Sequence, residues 1–258
     1  MGAAATLVET GESVSVDGSG HFPMQSVYKF PIAMALLDDV DRGAIRLDQQ
    51  VTVTPAELVP AGLYSPIRDA HPQGGFSMTV GELLRYAVAE SDGTASDVCL
   101  RLAGGPGPVM AYLKSLGVAG VIVATSENQM GHDEMVQYRN WAAPEQMVVL
   151  LAAFQRGAGL SAASHDLLLR WMTETARASQ RLKGLLPEGT VVAHKPGSSG
   201  MHDGLARATN DVGLITLPGG RHIAIAVFVS DSRADEAARE LVIAKIARAA
   251  WDHWAGQR

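Results

Sequence analysis

The run Ile32, Ala33, Met34, Ala35, Leu36, Leu37 and Val40 is apolar too broadly for a surface helix, so the chain must wrap it as a buried central helix. Gly43 supplies the stop. Directly before this run lies Phe22-Pro23-Met24-Gln25-Ser26-Val27-Tyr28-Lys29, where an extended segment enters the helix. Three residues apart on a helix, Ser26 and Lys29 share a face, about 5–6 Å apart at Cβ. A serine hydroxyl is a weak nucleophile until a neighbour takes its proton, and a lysine desolvated on a buried helix has its pKa lowered toward that task. The helix N-terminus adds backbone N–H groups that favour developing negative charge. With 17 serines and 5 lysines in 258 residues, roughly 0.3 such pairs arise by chance, so the pair needs company before it means chemistry.

The rest of the chain says what surrounds that helix. Residues 4–9 and 12–16 alternate as two short strands turning at Gly11, and Asp17-Gly18-Ser19-Gly20 is turn chemistry. Residues 44–78 carry Pro and Gly with little periodicity and read as a long irregular connection. Thr79-Val80-Gly81-Glu82 is a capping box opening a helix that ends at Ser91-Asp92-Gly93. Helices are expected over 94–103, 108–116, 144–156 and 161–175, a short strand over 118–125, and a polar loop over 126–141. The tail turns β-rich at 190–194, 209–217 and 222–229, and an amphipathic helix over 234–254 closes the chain. Strands at both ends with helices between predict an α/β (α+β) fold. An antiparallel sheet built from both termini, with flanking helices, takes an inserted all-helical lobe. The expected division is 1–25 and 182–258 for the α/β lobe and 26–181 for the helical lobe, with a cleft between them.

Composition excludes several functions. A net charge of -6 and no Lys/Arg run argue against nucleic acid as a partner. The longest apolar stretches, such as 223–229, fall far short of the roughly 18 residues a membrane span needs. Eight histidines lack a paired ligand spacing, so no metal is expected. Cys99, the single cysteine, reads as a packed thiol. Met1-Gly2-Ala3-Ala4-Ala5 is not a signal peptide, so either an export signal has been removed or the chain stays in the cytoplasm.

Three further spots accompany Ser26 and Lys29: Ser91-Asp92-Gly93 between helices, Glu127 heading the polar segment, and Lys195-Pro196-Gly197 at a strand end. In isolation these read as a turn serine with a helix-capping Asp92, a solvated carboxylate, and a surface lysine. In this order and at these separations the chain resembles the class A serine β-lactamases over nearly its whole length. Gln137-Tyr138-Arg139-Asn140-Trp141, the stretch from Arg181 to Pro187, and Val191-Val192-Ala193-His194-Lys195 are similar to the PER-type extended-spectrum branch. The resemblance implies the two-lobed β-lactamase/penicillin-binding fold, a small-molecule β-lactam substrate, no cofactor, a monomer, and a periplasmic or secreted location. It implies roles as well: Ser26 the acylated nucleophile, Lys29 its proton partner, Ser91 the donor to the leaving nitrogen, and Glu127 the residue holding the hydrolytic water. The Ser26 and Ser198 N–H groups would form the oxyanion hole. Lys195, Arg181 and the Ser198 hydroxyl would hold the substrate carboxylate, next to Gly197, with Tyr64 at the cleft rim.

Three positions depart from that pattern. Gly93 stands where an asparagine would bond the substrate's acylamino group and Lys29, Pro196 replaces a hydroxyl residue facing the carboxylate, and Gly131 stands where most class A enzymes carry an asparagine near the water. Each missing bond costs about 1–2 kcal/mol, so Gly93→Asn and Pro196→Thr are each expected to raise kcat/KM by roughly 5- to 30-fold. Two alternatives stay open: a penicillin-binding or peptidase-like enzyme that deacylates slowly, and a degenerate, non-catalytic binding member. The N-terminus also looks short for the family, which would leave a stripe around Leu241, Ile243, Ile246 and Ala249 under-covered.

Overall fold

The computed structural model describes residues 1–256. β1 (Gly2–Leu7) and β2 (Ser13–Val16) pair antiparallel with Ala3 opposite Val16, and the reversal uses Gly11 at φ +77. β3 (Phe22–Pro23) leads through a 3-10 turn, Gln25–Tyr28, into α1 (Lys29–Asp41). Every residue of α1 from Lys29 to Leu37 is buried, as its all-round hydrophobicity requires.

Residues 44–78 are more ordered than expected. β4 (Gln50–Val53) and β5 (Phe76–Thr79) form their own antiparallel ribbon, and α2 (Pro66–Ala70) lies between them. Val51 and Val53 alternate with Gln50 and Thr52 over only four residues, a period-2 signal too short to stand out beside so many prolines. The expected capping box forms: Thr79 Oγ1 accepts from the Glu82 N–H at 3.2 Å, and Glu82 accepts the Thr79 N–H at 2.8 Å. It opens α3 (Val80–Arg85), which runs into a π-helical turn, Tyr86–Glu90. Then come α4 (Gly93–Leu102), α5 (Pro106–Ser115) and the short β6 (Val121–Ile122).

The expected loop over 126–141 is largely helical. α6 (Glu127–His132) is followed by a 3-10 turn, Glu134–Arg139, and by β7 (Trp141–Ala142). A helix-start signal does exist here: Ser126 and Gln129 make a capping box, with the Ser126 hydroxyl accepting from the Gln129 N–H at 3.2 Å. The helix it opens is too short and too polar to show an apolar period, so the segment reads as a loop.

α7 (Pro144–Gln155) and α8 (Ala162–Glu174) precede the long strands β8 (Val192–Ser198), β9 (Ala206–Thr216) and β10 (His222–Ser232), and α9 (Glu236–Ala255) ends the fold. The main sheet runs β2-β1-β10-β9-β8, all antiparallel, so both ends of the chain build it. β10 shows how one strand serves two cores. Ala224, Ala226 and Phe228 join the large core that also holds α1 and α7, while Ile223, Ile225, Val227 and Val229 pack with Ile243, Ala247, Trp251 and Trp254 of α9. Of the stripe expected to be under-covered on α9, Ile243 is fully buried; Leu241 and Ala249 are exposed and Ile246 is half-buried.

Phe154 of α7 meets Phe30 of α1 edge-to-face at 5.5 Å, and both are wholly buried. Phe154→Ala removes that pairing from the junction between helices and sheet. A loss of about 3–5 kcal/mol is expected, read as a lowered midpoint in urea unfolding.

Candidate active site

The 3-10 turn over Gln25–Tyr28 sharpens the geometry of Ser26 and Lys29, because residues three apart eclipse in that helix type. Ser26 is half-buried and Lys29 is 2% exposed. Gln25, beside the serine, holds a left-handed φ of +47 and is tied by its side-chain amide to Gln137 Oε1 at 2.7 Å. Backbone strain of this kind persists only where such neighbours over-determine it.

All four motifs meet around Lys29 and Ser91. Lys29 Nζ donates to the Ser91 carbonyl at 2.7 Å and pairs with Glu127 Oε1 at 2.9 Å. Ser91 Oγ accepts from Lys195 Nζ at 2.7 Å, so this one serine bridges two buried lysines. Ser91 closes the π-helical turn in a left-handed conformation, φ 61, that aims its two oxygens at them. Burial drives the Lys195 pKa well down, and the charges of Lys29 and Arg177 add to the shift. Asp92 does cap α4, accepting from the Ala95 N–H at 2.8 Å, and it also holds Ser65 and the Ile67 N–H.

β8 supplies the opposite wall. Its pairing with β9, together with the Ser199 N–H to Ala208 carbonyl bond, puts odd-numbered residues in bonded pairs with β9. Even-numbered backbone groups therefore face away from β9, and the Ser198 N–H points out of the sheet edge. Pro196 sits at one of these outward positions, so no ladder bond is lost there, as expected of proline on an edge strand. Gly197 marks a close approach: a Cβ there would lie 2.4 Å from the Met24 carbonyl and 3.1 Å from the Ser26 nitrogen. Asn210 of β9 clamps the same approach, donating to the Pro23 and Met24 carbonyls at 2.8 and 3.1 Å.

Two adjoining hollows of about 500 and 450 Å³ share Ser26, Tyr64, Ser91 and Ser198 on their walls and form one cleft. Glu127, Gly131, His132 and His202 line the first; Arg177, Arg181, Pro196 and Gly197 line the second. Lys195 and Gly93 are buried behind these walls. Arg181 is 3% exposed and heavily engaged, donating to Glu240, to the Gly197 and Asn210 carbonyls, and to Ser198 Oγ at 2.7 Å. Tyr64 is 46% exposed at the rim, with the Arg177 guanidinium 4.0 Å from its ring centre.

Two of the three departures, Gly93 and Gly131, have packing reasons. The Gly93 N–H donates to the Tyr64 carbonyl, and a Cβ at 93 would stand 3.2 Å from that oxygen and 3.3 Å from Val59. At Gly131 a Cβ would come within 2.8 Å of Leu63 and 3.1 Å of Pro60. Both glycines thus let the 59–65 segment lie close to α4 and α6.

Asp97 is a site residue that pattern reading missed. It sits one turn after Gly93 and accepts the N–H groups of Glu127 and Asn128 at 2.7 and 2.8 Å, fixing the first turn of α6. Burial pushes its carboxyl up to about 6, and the Glu127 charge adds to the rise. Asn140, wholly buried, holds the lead-in by accepting from the Ala124 and Thr125 N–H groups and donating to the Thr125 carbonyl. No spacing rule links these residues to Glu127, since the contacts span 30 and 15 positions. The assembly places a hydroxyl, two buried ammonium groups, a buried carboxylate and outward N–H groups around one cleft, which suits acyl transfer.

The sequence profile of a family described as the β-lactamase enzyme family matches residues 1–254. β-Lactamase VEB-1 of Pseudomonas aeruginosa is 40% identical over 245 residues, covering 94% of this chain and 81% of that protein. Extended-spectrum β-lactamase PER-1 of the same organism is 43% identical over 230 residues, 89% of this chain and 74% of that protein. The crystal structure of TLA-1 extended-spectrum β-lactamase superposes with a TM-score of 0.95 at 42% identity, covering 98% of this chain and 92% of that one.

Proposed function

This chain belongs to the class A serine β-lactamases, hydrolases that open β-lactam rings, and from that premise we propose how its own residues carry the reaction. Ser26 attacks the lactam carbonyl, with its proton taken by the Lys29–Glu127 pair. The Ser26 and Ser198 N–H groups receive the oxyanion, where one such donor is worth about 2.7–4 kcal/mol of barrier. The reading draws support from the outward register of Ser198 and from the Gly197 backbone lying against the Ser26 turn. Ser91 then protonates the departing nitrogen, its hydroxyl held by Lys195. Glu127 activates water for hydrolysis of the acyl-enzyme, positioned by Asp97 from behind.

The observation that carries this reading is the ion pair between Lys29 and Glu127 at 2.9 Å in the wall that also holds Ser26. It supports a carboxylate serving the same cleft as the acylated serine, the feature on which a hydrolase is expected to differ from a slowly deacylating penicillin-binding enzyme. The test is to follow a chromogenic cephalosporin by colour and intact mass. Steady turnover supports the reading, a stoichiometric burst with a lasting adduct moves it to the penicillin-binding alternative, and neither moves it to a binding protein.

The two departures are expected to answer mutation differently. Pro196→Thr restores a hydroxyl and an N–H on the outward edge of β8 without disturbing the ladder, so kcat/KM on benzylpenicillin should rise roughly 5- to 30-fold. Gly93→Asn must displace the Tyr64 carbonyl and Val59, and should bring no gain. Steady-state kinetics of the two variants check both outcomes; a gain at Gly93 would restore the simpler reading of a missing amide.

We further propose that the chain divides at residues 25 and 182 into the α/β and helical lobes, acts as a monomer, and works in the periplasm or outside the cell. No helix among the described residues is long and apolar enough to cross a membrane.

A further inference from the structure

Of the groups expected to grip a substrate carboxylate, the Ser198 hydroxyl accepts from Arg181 and keeps its own proton to give, while the two cations are already engaged. Lys195 Nζ is committed to Ser91 Oγ and the Pro196 carbonyl, and Arg181 is committed to Glu240, two carbonyls and Ser198. Pro196 has neither hydroxyl nor N–H to offer. Across the same hollow stands Arg177, exposed, forming no ion pair among the described residues, with its guanidinium parked on the Tyr64 ring.

Its position is built rather than incidental. The segment carrying it is pinned on one side by Thr175, whose hydroxyl donates to the Ala89 carbonyl at 2.9 Å. On the other side the Arg181 N–H donates to the Ala178 carbonyl at 3.0 Å. Ala178 adopts a left-handed φ of +56, a strained conformation for a non-glycine residue, and it turns the chain at the residue after Arg177. The Arg177 charge also reaches Lys195, helping hold that ammonium's pKa down.

We propose that Arg177 is a substrate-binding residue that leaves Tyr64 to engage the carboxylate of the bound β-lactam, taking over the anchoring for which Pro196 has no donor. This rests on the β-lactamase reading of the cleft. A guanidinium suits the task, since its planar fork matches a carboxylate in two parallel hydrogen bonds, whereas its contact with an exposed ring is weak enough to be exchanged.

The test uses a chromogenic cephalosporin and its methyl ester, which lacks the anion. In the parent the acid should be preferred in kcat/KM. Arg177→Ala should lose about 10- to 100-fold on the acid, the range for a charge-assisted hydrogen bond, and little on the ester, collapsing the acid-over-ester ratio. Arg177→Lys should keep an intermediate ratio, which a purely structural role would not produce. An unchanged ratio in Arg177→Ala overturns the inference, as does an equal loss on acid and ester. Covalent labelling of Ser26 by the parent, read by intact mass, tells this failure apart from failure of the β-lactamase reading itself.

Discussion

Ser26→Ala is expected to abolish both turnover of a chromogenic cephalosporin and covalent labelling by penicillin. The alanine cannot form the acyl bond, and the two serines that share both hollows with it are engaged: Ser91 Oγ accepts from Lys195, and Ser198 Oγ accepts from Arg181. Only binding and the N–H donors remain, so kcat should fall by about 10⁴- to 10⁶-fold. The fold should be untouched, because a half-buried hydroxyl is traded for a methyl. Intact mass after incubation with benzylpenicillin gives the decisive reading. Stoichiometric labelling of the alanine variant would place the nucleophile elsewhere and undo the mechanism.

Glu127→Gln should separate the two halves of the reaction. A carboxylate activating water is worth roughly 10² to 10⁴ in rate, so deacylation should slow by that much while acylation stays measurable. The variant should give a burst of colour and then a persistent mass increase. Glu127 is 5% exposed and pairs with Lys29, so the amide keeps an oxygen that can accept from that lysine but removes the negative charge opposite it. Some slowing of acylation is therefore expected too, and single-turnover kinetics resolve it from the larger deacylation effect. If steady hydrolysis continues unchanged, the base lies elsewhere. Glu134 also lines the cleft, but it is tied to Arg207.

These two experiments also decide how the departures should be regarded. A chain with Gly93, Pro196 and Gly131 could be taken for a decayed relative on motif grounds alone. The packing argues against decay: a Cβ at Gly131 would lie 2.8 Å from Leu63, one at Gly93 would press on the Tyr64 carbonyl at 3.2 Å, and the proline sits where the sheet needs no donor. A cleft closed down around small residues is a different cleft, which is why restoring the commonest residue is expected to help at 196 and not at 93.

The amino-acid order determined by itself whatever is written in local periodicity and in short motifs. The all-apolar run of α1, the capping box at Thr79–Glu82, the β-rich segments of the tail, and the spacing of Ser26, Lys29, Ser91, Glu127 and Lys195 were all legible. Each depends on neighbours within a few residues, or on a family pattern kept in order along the chain. Short or polar elements were not legible, as with β4, β5 and α6, because their stability comes from partners rather than from their own hydrophobicity. Tertiary structure alone decided who serves the site from a distance. Asp97 reaches α6 across 30 residues, Asn210 holds the Met24 carbonyl across 186, and Arg177 meets Tyr64 from the far side of the cleft. Such contacts depend on two backbones arriving at one place with the right side chain already pointing there, and no window along the sequence records that arrival.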